Sequence, residues 1–331
     1  MQELTDRIFS IQTEADFNSC ALEVYRFQKA HVPVYRTYLE LIRRPEPSHY
    51  LEIPHLPITF FKTHQILAEG MDVQQVFKSS GTTGMTRSMH PVADVSVYER
   101  SFVPTYEQFL GKLDEQIIFA LLPNYISQGE SSLVYMVDKL IAKTGNELSG
   151  YYLDSSESLL KAISEGRKTG KKLVLFGVSY ALLDLAELKP DLRGVTVIET
   201  GGMKGKRKEM AKEEMHRELV VSFGCEYIAS EYGMCELLSQ AYSDRNGLFE
   251  LPPWMRISLR EVNDPFELLT KEKTGGVNVT DLANLYSCAF IETQDLGRIE
   301  NGKLRLMGRF DHSDVRGCNL LVGSFTYTAN A

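Results

Sequence analysis

Over residues 3–43, Phe17, Leu22, Tyr25, Phe27 and Val34 recur among charged positions, with no glycine and a single proline, Pro33. That spacing predicts a helical N-terminal part of about 1–45. Four prolines then follow within thirteen residues (Pro45, Pro47, Pro54, Pro57) and predict an extended connection, which leads into the short apolar run ITFFKTHQI. From residue 116 the pattern alternates. QIIFALLP, GYYLD, KKLVLFGV and VTVIETGG read as strands. SSLVYMVDKLIAKTG, residues 155–166, SYALLDLAEL and the charged segment that ends near Leu219 read as helices. KKLVLFGV is apolar without a break, as strands buried on both faces of a parallel sheet are. The repeated strand–helix order predicts an α/β fold over about 50–250. From Leu251 the chain changes to short strands with Gly, Asn and Asp turns (WMRISLREV, GGVNVTDL, CAFIETQD, KLRLMGRF), which predicts a β-rich part over 251–311, followed by a short tail over 312–331.

Composition narrows the class. Of 331 residues, 43% are hydrophobic and 24% charged, which suits a folded globular chain rather than a disordered one. The 36 Lys and Arg against 44 Asp and Glu leave a formal net charge of −8, with no global attraction to a nucleic-acid backbone. The basic run Lys204, Lys206, Arg207 and Lys208 is balanced by Glu209, Glu213 and Glu214, and reads as a solvated face. The cysteines (Cys20, Cys225, Cys235, Cys288, Cys318) are odd in number and form no CxxC pair, which points to a reducing, cytoplasmic setting and away from a disulfide framework or structural zinc. The acid-bearing N-terminus lacks the apolar core of a secretory signal, and no apolar run reaches membrane-spanning length, so a soluble rather than an integral membrane protein is expected.

The first candidate for chemistry is FKSSGTTG, in which Ser79, Ser80, Gly81, Thr82, Thr83 and Gly84 follow a strand-like piece. Glycines permit unusual backbone angles, while hydroxyls and backbone N–H groups donate to phosphate oxygens. The GxxxxGK[ST] spacing of a Walker loop is absent. Taken alone, the hexamer is as well read as a polar turn. Four later segments change its weight: IETGGMKG over 198–205, SEYGMCE over 230–236, IETQDLG over 291–297 and GRFDHSDVRG over 308–317.

In that order the five segments resemble the core motifs of the adenylate-forming enzyme superfamily. That group includes acyl-CoA synthetases, luciferases and peptide-synthetase adenylation domains. Within it, IPHLPITFFKTH before the loop, GVSYALLDLAE, ETGGMKGKRKEM and the ending SDVRGCNL resemble acyl-protein synthetases of the LuxE type. The resemblance implies the large α/β domain of that superfamily, with mixed sheets flanked by helices and without the small C-terminal lid domain. It also implies ATP and Mg2+ as cofactors, and activation of a carboxylic acid, fatty acyl in the LuxE type, as its adenylate. The acyl group would then pass to a cysteine near the C-terminus and on to a reductase or carrier protein.

Residue by residue, the resemblance gives residues 79–84 the grip on the β- and γ-phosphates. Arg87 stands where the family usually has Lys; it keeps the charge but changes the donor geometry. Gly201 and Gly202 match the segment that lets ligand lie close to the backbone. Tyr232 and Gly233 belong to the adenine-binding motif, with Tyr232 placed to stack on the base. Glu236 matches the magnesium carboxylate, and Cys235 replaces the usual Thr, a stronger donor to the α-phosphate. Asp295 matches the acceptor for the ribose hydroxyls and Arg309 the hinge arginine. Cys318 falls at the place of the acyl-accepting thiol, where Arg316 or Arg309 would favour the thiolate. Lys204 and Lys206 are substitutes for the lysine that the lid domain supplies. His64 and His90 flank the loop and read as core or surface histidines rather than acid–base groups. His31, His49, His55, His216 and His312 belong to no motif.

Two rival readings keep part of this pattern. A ligase that hands the acyl group directly to CoA, an amine or a carrier protein would make Cys318 incidental. A catalytically degenerate nucleotide-binding module would account for Cys235 in place of Thr and for the missing lysine domain, but not for the otherwise intact motif residues.

Overall fold

The computed structural model describes residues 1–80, 86–123, 130–153, 155–201, 207, 210–269 and 273–310. Gly81, Thr82, Thr83, Gly84, Gly202, Lys204, Lys206, His312 and Cys318 lie outside the described residues.

The helical N-terminal pattern divides into α1 (Gln2–Ile8), α2 (Glu14–His31) and α3 (Pro33–Ile42). Thr13 and Asp16 form a reciprocal capping box that starts α2. Pro33 takes the first position of α3, where its missing N–H removes no helical hydrogen bond. The single proline of the helical part is thus a helix start. These helices cover the far half of the sheet. The buried Gln28 amide donates to the carbonyls of Asn284 (3.0 Å) and Leu285 (2.9 Å), and Tyr35 stacks on Phe290 at 6.0 Å.

The Pro-rich connection carries β1 (Leu56–Pro57) and the single turn α4 (Phe60–Thr63). The strands β2 (Gln75–Lys78) and β3 (Met89–Val92) form a separate antiparallel hairpin around the SSGTTG segment. Then α5 (Val95–Leu110), β4 (Gln116–Leu121), α6 (Ser132–Thr144), β5 (Gly150–Tyr151) and α7 (Ser156–Arg167) alternate. They continue as β6 (Lys172–Val178), α8 (Ser179–Ala186), β7 (Val195–Thr200), α9 (Lys212–Phe223) and β8 (Ile228–Tyr232). Gly145 and Gly224 end α6 and α9 in the left-handed conformation that glycine adopts without penalty.

The strands β9 (Ala241–Ser243), β10 (Phe249–Glu250), β11 (Met255–Arg260), β12 (Gly275–Asp281), β13 (Phe290–Glu300) and β14 (Lys303–Arg309) complete the chain's described part. One sheet runs in the order β11-β12-β13-β14-β10-β9-β8-β7-β6-β4-β5, with β1 attached to β13. Its β5-β4-β6-β7-β8 half is parallel, and the remainder, apart from the parallel β1–β13 pair, is antiparallel. The α/β part and the β-rich part are therefore one continuous sheet joined at β8–β9. In the parallel half Ile117, Phe119, Leu175, Phe176 and Ile198 are fully or almost fully buried, as strands covered by helices on both faces require. No helix among the described residues is long and apolar enough to cross a membrane.

Candidate active site

The parallel strands β6, β7 and β8 end together at Val178, Thr200 and Tyr232. A parallel sheet receives ligands at this carboxyl edge, because the chain leaves it there in loops. The β2–β3 hairpin, the turn after β8 and the β13–β14 pair meet at that edge.

At the hairpin the backbone closes on itself. The Ser79 N–H donates to the Ser88 carbonyl (3.0 Å), the Ser88 N–H donates to Ser79 Oγ (2.9 Å), and Arg87 Nε donates to the Ser79 carbonyl. Ser79 is thus fixed as the hinge post of the loop, with its hydroxyl proton left to donate elsewhere. Ser80 is exposed at the loop's start. Lys78 pairs with Glu130 at 2.7 Å and holds the hairpin against the chain ahead of α6.

After β8 the chain turns through Gly233, Met234, Cys235 and Glu236. The buried His90 and Asn284 hold that turn. His90 Nδ1 donates to the Cys235 carbonyl (2.8 Å), and Asn284 Nδ2 donates to the carbonyls of Glu236 (2.8 Å) and Cys288 (2.9 Å). His90 Nε2 lies 3.0 Å from Asn284 Oδ1, a hydrogen bond only if the ring also carries a proton there. Burial pushes the imidazole down to about 4, so the ring is neutral near pH 7 and the Cys235 bond is the one it keeps. His90 is therefore a structural clamp, as the core reading of this histidine expects. His64 is exposed and stacks on Phe60.

Glu236 is 6% exposed. Burial pushes its carboxyl up, against the Ser88 hydroxyl and the charges of Arg309 and Lys62. Phe61 meets His90 edge-on at 5.5 Å, which sets α4, and with it Lys62, beside the turn. Lys62 lies in the IPHLPITFFKTH segment, but the resemblance gives it no role there. Cys235 is buried, with its Sγ 4.0 Å from the Ser88 carbonyl, and burial keeps the thiol far from ionisation. It is a small neutral side chain in this turn, not a nucleophile.

The Tyr232 hydroxyl donates to Asp295 Oδ2 at 2.8 Å, and Arg309 Nε lies 3.4 Å from Asp295 Oδ1. Asp295 and Arg309 are direct cross-strand partners on β13 and β14. Burial raises the Asp295 carboxyl, while Arg309 and Tyr232 favour its ionised form. Tyr232 is itself buried, and its ring packs at an angle of 63° on Phe249. Gly201 follows Thr200 with φ +73°, a conformation that lets the chain turn away from the strand end. The structure thus brings together Ser79, Arg87, Gly201, Tyr232, Gly233, Cys235, Glu236, Asp295 and Arg309 around one strand edge. Among the described residues no group of three metal-ligating side chains occurs, so a cation here would rest on Glu236 and on oxygens of a ligand.

Two buried carboxylates lie inside the motif segments, Glu199 in IETGGMKG and Glu231 in SEYGMCE, without a role assigned to them there. Glu199 is bonded by the hydroxyls of Ser179 (2.8 Å) and Ser230 (2.9 Å) and paired with Lys212 at 3.2 Å. Burial alone would raise it, but Lys212, His216 and Ser179 outweigh that and hold it at about 2. Glu231 accepts from the Thr200 hydroxyl at 2.5 Å; burial, with Glu199 nearby, raises it to about 7. Their signal in the sequence was an acid in an otherwise apolar strand, in VTVIET and in YIASEY.

Neither a protein-family model nor a curated protein matches the sequence. Solved structures do match in fold. ATP-bound MatB from Rhodopseudomonas palustris aligns with a TM-score of 0.56 at 16% identity, over 72% of this chain and 48% of its own. The luciferase-like enzyme of the mealworm Zophobas morio aligns with a TM-score of 0.51 at 16% identity, over 73% and 58%. The 2-hydroxyisobutyryl-CoA ligase in the postadenylation state with R3-HIB-AMP gives 0.65 at 10% identity, over 90% and 68%. The chain spans about half the length of the MatB structure. At these identities the likeness is one of fold, and the chain has the mixed α/β architecture of the large domain of adenylate-forming enzymes.

Proposed function

We propose that the protein activates a carboxylic acid with ATP to form an acyl-adenylate and pyrophosphate. The observation that carries this reading is the convergence of Glu236, Asp295, Tyr232 and Arg309 with the β2–β3 hairpin at one strand edge, in a fold shared with an ATP-bound and an acyl-AMP-bound enzyme. A carboxylate oxygen bonds to the α-phosphorus, the bond from that phosphorus to the bridging oxygen breaks, and pyrophosphate leaves. Two anions must meet, so positive charge and fixed donors are required. Arg87 and Arg309 supply charge, the loop over 79–84 supplies donors to the β- and γ-phosphates, and Asp295 accepts from the ribose. Tyr232 orients Asp295 and would present its ring toward the base. Glu236 fits Mg2+, because its buried carboxylate is raised by burial and an adjacent cation restores the ionised form. Bound there, Mg2+ would neutralise phosphate charge.

The second step of the proposal is transfer of the acyl group to the Cys318 thiolate, with release of AMP and formation of a thioester. A fatty acid as substrate and a reductase or carrier protein as final acceptor follow from the LuxE-type resemblance. Direct transfer to CoA is the alternative, favoured by the CoA present in another 2-hydroxyisobutyryl-CoA ligase structure of the same fold.

Carboxylate-dependent ATP–pyrophosphate exchange with a panel of acids tests the first step, and absence of exchange with every acid overturns it. Labelled acid with ATP tests the second. Hydroxylamine-sensitive label on the protein should vanish in Cys318→Ser, and label that survives removes Cys318 from the mechanism.

A further inference from the structure

The register of β7 and β8 pairs Glu199 with Ser230, so the next residues, Thr200 and Glu231, stand side by side on the opposite face of the sheet. That face is the one covered by α5. The antiparallel strand β9 places Tyr242 directly across from Glu231. Gln240, two residues earlier, lies on the same face, and its amide nitrogen donates to the Tyr98 hydroxyl at 3.2 Å. Glu231 and Gln240 both crowd Gly233: a Cβ at that glycine would overlap Glu231 Oε1 and lie 3.4 Å from Gln240 Nε2. A carboxyl and an amide therefore meet at Gly233 at the carboxyl edge of the parallel strands, and Tyr242 stands across from the residue bearing that carboxyl in the neighbouring strand.

All three are more than nine-tenths buried, with Glu231 8% exposed, Gln240 3% and Tyr242 2%. Yet Gln240 Oε1 and the Tyr242 hydroxyl have no hydrogen-bond partner among the described residues. Glu231 forms no ion pair among the described residues, since Lys212 pairs with Glu199 on the other face. Buried polar atoms are almost always satisfied, and two such atoms without a described partner, in one cluster with a carboxyl that forms no described ion pair, mark a place where something polar is to be received. Gly233 divides this cluster from the Tyr232–Asp295 pair, because Tyr232 and Glu231 point to opposite faces of β8. With the nucleotide on the Asp295 side, the Glu231 side is left for the acid.

We propose that Glu231, Gln240 and Tyr242 form a polar specificity pocket that selects a carboxylic acid bearing a hydrogen-bond donor, a hydroxyl or an amino group, over a plain alkanoic acid. This rests on the acid-activating function proposed above, and it refines the fatty-acid expectation toward a substituted acyl chain. A plain alkyl chain would leave Gln240 Oε1 and the Tyr242 hydroxyl as they stand and would add no partner to Glu231 beyond Thr200, whereas a donor satisfies Glu231 or Gln240 Oε1 directly. Sites built around buried polar groups discriminate strongly against analogues that lack the partner.

The test uses hexanoic, octanoic and decanoic acids, each with its β-hydroxy and β-amino derivative. Exchange of ATP with pyrophosphate and calorimetric binding of each acid alone are measured on the full chain. The proposal expects kcat/KM for a substituted acid at least about tenfold above its parent, and loss of that ratio in Glu231→Leu. Tyr242→Phe is the second variant. It removes a buried hydroxyl that has no partner and so should fold, and it too should lower the ratio. Because matched acids are compared within one variant, a general loss of folded protein does not move the readout. Exchange without preference for any donor-bearing acid, or a preference unchanged in both variants, overturns the pocket while leaving acid activation intact. Glu231-dependent binding of a substituted acid without any exchange overturns acid activation and leaves the pocket standing. Absence of both overturns both.

Discussion

The buried Glu231 makes a sharp prediction about stability and pH. Its carboxyl rises from the ordinary 4.5 to about 7 in the folded chain, first through burial and then through Glu199, with Thr200 and the more distant Lys212 acting the other way. Tyr98 of α5 and Tyr242 of β9 face it and stay protonated, because burial raises both phenols well above their ordinary range. A carboxyl that holds its proton more tightly when folded takes up a proton on folding between about pH 4.5 and pH 7, so stability falls as pH rises through that window. At ~1.4 kcal/mol per pH unit, the full effect is about 3 kcal/mol, present above pH 7 and absent below about 4.5. Glu231→Gln has nearly the same shape and cannot ionise. Urea denaturation of wild type and Glu231→Gln at half-unit steps from pH 4.5 to pH 8 reads the difference directly. The variant should gain about 3 kcal/mol on the wild type across the range. A gap between the two that does not change with pH would refute the reasoning, since it would mean that Glu231 ionises at its ordinary value in the fold.

Other expectations follow from the site. Glu236→Gln should lower ATP–pyrophosphate exchange by roughly a hundredfold, the scale of losing one preorganised charge interaction, and should abolish the response to added Mg2+. Tyr232→Phe removes a donor to a buried carboxylate, a bond worth ~1.5–3 kcal/mol, and steady-state kinetics should show the KM for ATP raised by at least about tenfold. Asn284→Leu leaves the carbonyls of Glu236 and Cys288 without their donor, and urea midpoints should report a loss of about 2–5 kcal/mol.

The strands of the parallel half were legible because their apolar runs are uninterrupted, and burial on both faces is what a helix-covered parallel sheet demands. QIIFAL became β4 and KLVLFGV became β6 with little displacement. The placement of the motif residues agrees with their grouping in the sequence, in that Glu236 and Asp295 stand at one edge with Tyr232 and Arg309. The division of the helical N-terminal part at Pro33 was not legible, because hydrophobic spacing continues through it, and the break shows in the cap geometry at Val32. The charge states of Glu199 and Glu231 were not legible, because the partners that decide them come from other elements. Lys212 reaches Glu199 from α9, and Tyr242 reaches Glu231 from β9. Periodicity along one strand reports which face a residue takes, not what stands opposite.

That difference between the two glutamates separates structure from function. They lie one strand apart at the same edge of the sheet, and both are buried, so burial alone does not distinguish them. Glu199 is compensated by a lysine, two hydroxyls and His216, and its folded-state charge is favoured. Above pH 4.5 it contributes stability that is lost only as pH falls toward about 2. Glu231 has one hydroxyl, no ion pair among the described residues, and two polar side-chain atoms without a described partner in the same cluster, and it costs stability above pH 7. A fold keeps an acid of the first kind for what it holds together. An acid of the second kind is offset when something outside the chain pairs with it, and at the carboxyl edge beside Gly233 the partner we propose is the acid substrate.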